Sequence, residues 1–117
     1  MVNSDMLILK KIVGYCDDIN DANIYFNGSL EMLKINKHYR YETAMCVLQI
    51  GELSTRLSDM FLSEHKNILW KEIRGMRNIV AHHYGNIDID ILWSTISEDI
   101  PKLRVYCAKS MQEEGTL

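Results

Sequence analysis

The sequence predicts an all-α protein, an antiparallel up-and-down four-helix bundle with a short extra helix and a kinked last helix. Three observations predict it. Apolar residues recur three and four positions apart through most of the chain, the period of a helix that buries one face. The breaks between these stretches are short, as they are between antiparallel neighbours in a bundle. The one alternating stretch, Ile87-Asp88-Ile89-Asp90-Ile91, has no second strand to pair with, so it too is read as helix.

The first helix is expected from about Ser4 to Phe26, with Met6, Leu9, Ile12, Val13, Cys16 and Ile19 on its apolar face and Ser4 or Asp5 as N-cap. Asn27-Gly28-Ser29 reads as a break, followed by a short helix from Ser29 to Ile35 and a looser Asn36-Lys37. A long helix should run from His38 or Tyr39 to Met60, its stripe being Tyr41, Ala44, Met45, Leu48, Leu53 and Leu57. Gly51 sits in its middle, where glycine costs ~1 kcal/mol relative to alanine, which implies that another helix packs close by. Glu52 beside it is either a solvated surface charge or a partner for a basic group. The third long helix is expected from Asn67 or Ile68 to His83, capped by Asn67 and ended at Gly85. The last begins at Asn86-Ile87-Asp88 and buries Ile89, Leu92, Trp93 and Ile96. Pro101 should kink or restart it near Glu98 to Ile100, before it continues through Leu103 and Tyr106.

At 117 residues this is the length of one domain, 1–117, with residues 110–117 expected to fray. A hydrophobic fraction of 47% is ample for a core, and no apolar run reaches the ~20 residues of a membrane span. Met1-Val2-Asn3-Ser4-Asp5 lacks the basic start of a signal peptide. Cys16, Cys46 and Cys107 are odd in number and widely spaced, which fits reduced, buried thiols and not a disulfide frame or a zinc site. A cytoplasmic globular protein without a membrane partner is the expectation. The net charge of −3 gives no general signal for nucleic acid, yet from Glu64 to His83 four cations face two carboxylates. That stretch suits a phosphate-bearing ligand as well as it suits an ordinary solvated helix.

Within it, Gly75-Met76-Arg77-Asn78-Ile79-Val80-Ala81-His82-His83-Tyr84-Gly85 gathers more hydrogen-bonding groups than a core helix needs. Helical residues are ~100° apart, so Arg77 and His82 would project ~140° from each other and not touch within one regular helix. Asn78 and His82 share a face, so the amide can orient the imidazole. Either the helix ends or distorts near His82, or two copies of the chain share the site around a two-fold axis. An imidazole with a pKa near ~6.5 moves protons at cellular pH. A guanidinium holds a phosphate and stabilises charge developing on it. Together they suffice for RNA cleavage without a metal, and no carboxylate cluster for Mg²⁺ is evident. Read as residues alone, Arg77 also fits a surface ion pair, the histidine pair a metal site without an obvious third ligand, and Tyr84 an amphipathic cap. A helical interaction domain stands ahead of catalysis on those grounds.

Arg77-Asn78-Ile79-Val80-Ala81-His82-His83-Tyr84 resembles the R-x4-H-x-Y motif of HEPN-domain toxins, in particular their HepT-like branch. Ile50-Gly51-Glu52, Ile68 through Met76, Ile87-Asp88, Leu92-Trp93 and Ile100-Pro101-Lys102-Leu103 are similar to that branch in order and spacing, so the resemblance covers about Tyr41 to Leu103. It implies a HEPN-like bundle that dimerises around a composite cleft. It implies a metal-independent endoribonuclease, the toxin of a type VII-like toxin–antitoxin pair, with no cofactor, no metal and RNA (tRNA or mRNA) as substrate. By position, Arg77 would stabilise the scissile phosphate, His82 would transfer protons and Asn78 would orient the site. Tyr84 would be adenylylated by an MntA-like nucleotidyltransferase, the antitoxin. Glu52 would support Arg77 or Arg74, and Arg74 and Lys71 would contact RNA; His83 falls at a variable position and takes no role. A non-catalytic helical dimer that binds and regulates such a nucleotidyltransferase is the alternative from a different class.

Overall fold

The computed structural model describes residues 3–79 and 87–115, and every regular element there is helical. Helix α1 (Asn3–Tyr25) lies against α3 (Lys37–Ser54) and α7 (Ile100–Gly115). Of the expected apolar face it buries Leu9, Ile12, Cys16 and Ile19, with Met6 and Val13 half-buried, and it buries Ala22 as well. The predicted break follows, with Asn27 at φ 51°, a left-handed conformation that asparagine tolerates better than most residues. Ser29 then caps α2 (Leu30–Ile35) by accepting from the Met32 N–H at 3.0 Å. The Asn36 side chain accepts from the N–H groups of His38 and Tyr39, which starts α3 directly after it.

Two of the expected long helices are shorter than their apolar period implied. The helix expected to reach Met60 ends at Ser54. There the Ser54 and Thr55 hydroxyls donate back to the Gly51 and Glu52 carbonyls, at 2.7 and 2.6 Å, and compete with the helical ladder. A separate α4 (Asp59–Glu64) follows, capped by Ser58, whose Oγ accepts from the Phe61 N–H. Asp5, expected as a cap of α1, is instead fully buried within that helix. Its carboxylate accepts from the Ser58 N–H at 2.8 Å and the Ser58 hydroxyl at 2.6 Å, tying the first turn of α1 to the start of α4. The α3 stripe is also rotated from the expected one: Tyr41 and Met45 are exposed, and Tyr39, Thr43, Cys46, Val47 and Ile50 face the core with Ala44 and Leu53. Tyr39 and Thr43 can be buried because their hydroxyls have partners, Asn23 and the Tyr39 carbonyl.

The third long helix was expected to run from Asn67 or Ile68 to His83. It is α5 (Trp70–Gly75), which passes into a 3-10 turn, Met76–Ile79. Asn67 does not cap it; its side chain accepts from the Tyr106 hydroxyl at 2.7 Å. The positions from Val80 to Asn86, including the expected helix end at Gly85, lie outside the described residues.

The last helical run is continuous: α6 (Ile89–Ser94), capped by Asp88, then a π-helical turn, Thr95–Asp99, then α7. The predicted distortion ahead of Pro101 is this π turn, closed by the Ile100 N–H bonding to the Thr95 carbonyl. Proline supplies no N–H and crowds the carbonyl four residues before it, and the wider turn accommodates both. Helix α7 reaches Gly115, so residues 110–115 are helical where a frayed tail was expected. No helix of the described residues is long and apolar enough to cross a membrane. The three thiols are buried as expected, and burial pushes each up to about 12.

Candidate functional site

The 3-10 turn places Arg77 against α3 at Gly51. A side chain at Gly51 would bring its Cβ within 2.7 Å of Arg77 Cγ and 3.1 Å of the Arg77 backbone nitrogen. The two elements therefore approach to a distance that only glycine permits, as its position in mid-helix implied. The approach sets Glu52, the next residue, beside the guanidinium: Arg77 Nη1 lies 3.5 Å from Glu52 Oε1, and Arg77 Nε donates to the Arg74 carbonyl at 3.0 Å. The guanidinium is held at two points by a carboxylate and a backbone oxygen, and both charged side chains remain nearly half exposed, at 44% and 45%. An ion pair that exposed contributes about 0.2–1 kcal/mol. A contact of that strength biases the orientation of the arginine without fixing it.

The turn has its own cause. The Met76 N–H bonds to the Ile73 carbonyl three residues back, the 3-10 pattern, at the residue after the weak helix former Gly75. The angle of ~140° drawn between Arg77 and His82 on an uninterrupted α-helix therefore does not apply, because the regular helix stops at Gly75, before the arginine. Successive residues of a 3-10 turn are ~120° apart, so Asn78 projects away from the Glu52–Arg77 pair and is exposed. Arg74 is half-buried with Nε 3.4 Å from the Trp70 carbonyl, and Lys71, three residues earlier, is exposed on α5. Of the expected site residues, Arg77 and Glu52 are brought together and Arg74 contributes its carbonyl. Asn78 and Lys71 do not join that contact. His82, His83 and Tyr84 lie outside the described residues. Among the described residues no three His, Cys, Asp or Glu side chains are grouped so as to hold a metal ion. The anchoring role of the Arg74 carbonyl had no signal in the sequence, since a backbone oxygen carries none.

Comparison with known proteins adds a lineage to this geometry. The family model described as "Ribonuclease HepT-like" matches residues 15–110. The chain is 39% identical over 93 residues to a Methanocaldococcus jannaschii protein named "Putative RNase", covering 80% of this chain and 77% of that one. It is 37% identical over 65 residues to a protein of the same name from Caldanaerobacter subterraneus subsp. tengcongensis, covering 56% of this chain and 58% of the relative. It is 40% identical over 55 residues to the "Probable ribonuclease HepT" of Thermococcus cleftensis, covering 47% and 50%. No solved structure matches.

Proposed function

This chain belongs to the HepT-like ribonuclease family, and from that premise we propose that it is a metal-independent endoribonuclease, the toxin of a toxin–antitoxin pair. The observation that carries the proposal is Arg77 itself: a half-exposed guanidinium, anchored by Glu52 and seated on Gly51, within the span that matches the family. An arginine so held presents its remaining N–H groups to a phosphate at little further ordering cost.

In this reading His82 and its counterpart in a second copy supply the proton transfers. A base removes the 2′-hydroxyl proton, the 2′-oxygen attacks the adjacent phosphorus, and the 5′-oxygen leaves with a proton from the acid, giving a 2′,3′-cyclic phosphate. Arg77 stabilises the charge that develops on the phosphoryl oxygens. Asn78 orients the imidazole, and Lys71 and Arg74 draw RNA to the cleft. The protein acts as a homodimer, for which α3 offers a face: Tyr41 and Met45, each 38% exposed, continue through half-buried Leu48 to Glu52 at helical spacing. Adenylylation of Tyr84 by a nucleotidyltransferase antitoxin silences the enzyme, because a bulky anion at the cleft repels the phosphates of RNA.

The test is cleavage of total RNA and isolated tRNA by purified protein in excess EDTA, after mass spectrometry has shown Tyr84 to be unmodified. Wild type is expected to leave 2′,3′-cyclic ends, and Arg77→Ala and His82→Ala to leave RNA intact. Equal cleavage by wild type and both variants would place the activity elsewhere. No cleavage by a folded, unmodified dimer would favour a module that only binds and regulates its nucleotidyltransferase.

A further inference from the structure

Between α1 and α3 lies an open groove of about 500 Å³, within the ~300–1,000 Å³ of small-molecule sites. Its lining includes Gln49 on α3, three residues before Glu52 and so its neighbour on the helix surface, and Arg56 just beyond the end of that helix, so the groove reaches toward the carboxylate that anchors Arg77. Its α1 wall includes Lys11, Gly14 and Tyr15. Gly14 is the telling position. Glycine within a helix costs ~1 kcal/mol relative to alanine. At Gly51 close packing accounts for that cost, whereas a Cβ at Gly14, as at Gly75 at the end of α5, would meet none of the described residues within 4 Å. The α1 wall is low here although none of the described residues fills the space.

The lining has the chemistry of a nucleotide site. Tyr15 offers a ring for a base, Gln49 a donor and an acceptor for a base edge, and Lys11 and Arg56 two cations for phosphate, against one carboxylate, Asp18. Among the described residues neither Lys11 nor Arg56 has a carboxylate partner within 4.0 Å. The groove of about 370 Å³ beside the 3-10 turn, between α5 and the last helical run, is the poorer path for RNA. It is largely apolar and holds Glu72 and Asp99 against Lys102.

We propose that the α1–α3 groove is a subsite for a nucleotide flanking the scissile phosphate of single-stranded RNA, its base stacked on Tyr15 and its phosphate held by Lys11 and Arg56. The proposal rests on the ribonuclease reading, and binding measured apart from cleavage separates the two. The probe is a dye-labelled, fully 2′-O-methylated RNA pool of random sequence and about ten nucleotides, within the ~4–16 usual for single-strand grooves. It cannot be cut, because the attacking hydroxyl is blocked, and random sequence suffices because stacking tolerates any base. By fluorescence anisotropy, Tyr15→Ala should weaken binding about 5- to 100-fold, and Gly14→Phe, which fills the groove, by a comparable factor. Lys11→Gln and Arg56→Gln should each take about 0.7 off the slope of log K against log salt. Should Gly14→Phe fail to melt cooperatively, Tyr15→Ala and the two salt slopes decide. Wild-type binding that these substitutions leave unchanged, or cleavage by a wild type that does not bind the pool, overturns the subsite and spares the ribonuclease reading. A wild type that neither binds the pool nor cuts RNA overturns both.

Discussion

A half-exposed guanidinium keeps one orientation only if its surroundings impose it, and for Arg77 they are the Glu52 carboxylate, the Arg74 carbonyl and the missing side chain of Gly51. Two substitutions separate these supports. In Gly51→Ala the new methyl would stand 2.7 Å from Arg77 Cγ, so the arginine or the turn must move. Stability should fall by about 1–3 kcal/mol, the usual effect of overpacking, and cleavage by about 100-fold, as misplacement by ~1 Å does. Glu52→Gln keeps the shape and removes the charge, so unfolding free energy should stay within about 1 kcal/mol while kcat/KM falls several-fold. Denaturant titration beside a cleavage assay checks both, and an inert Glu52→Gln would reduce that carboxylate to an ordinary surface charge. The sequence announced a close approach at Gly51 through the misplaced glycine. That the approaching group is Arg77 had no such signal, because nothing in a periodic pattern pairs position 51 with position 77.

At the scale of the element, long runs with one apolar period were legible and their interruptions were not. Leu53 and Leu57 continue the spacing of α3 across its true end, and that continuity hid the hydroxyls of Ser54, Thr55 and Ser58 that stop one helix and cap the next. The buried face of α3 was misread for a related reason: Tyr39 and Thr43 look polar in sequence and are core in the fold, each with its hydroxyl bonded. The short helices therefore depend on local polar contacts more than on propensity. Removing the carboxylate that ties α1 to α4 tests this. Asp5→Ala leaves the Ser58 N–H and hydroxyl without that partner and should lower stability by about 2–3 kcal/mol, the range of hydrogen bonds to a charged group. Amide exchange should rise first in α4, whereas exchange spread evenly over the molecule would deny α4 its dependence on Asp5.

For the molecule as a whole, α1, α3 and α7 each contribute a cysteine to the common core, and burial raises each thiol to about 12. The unfolded chain, with thiols near ~8.5, releases those protons at lower pH than the folded one. Stability should therefore be fully present below about pH 8.5 and be lost as pH rises toward 12, with a slope of at most about 1.4 kcal/mol per pH unit for each thiol. Guanidinium titrations across that range check the sign, and replacing Cys107 by alanine should flatten the fall. All-α architecture and the burial of these thiols were legible from spacing and composition. The residue types around Arg77 raised an expectation of chemistry that the cleavage assay tests, while the contacts that hold the arginine belong to tertiary structure alone.

The π turn has a consequence for how the chain tolerates changes of length. It carries a residue more per circuit than its flanks do, in a stretch where Leu92, Ile96, Ile100 and Leu103 are all buried. Deleting exposed Ser97 would close the circuit to an ordinary α pitch and set Pro101 in a helix interior, at a cost of ~3 kcal/mol. The same deletion combined with Pro101→Ala should recover most of that loss. The proline then depends on the extra residue, and chains of this fold that keep the proline should keep that residue with it.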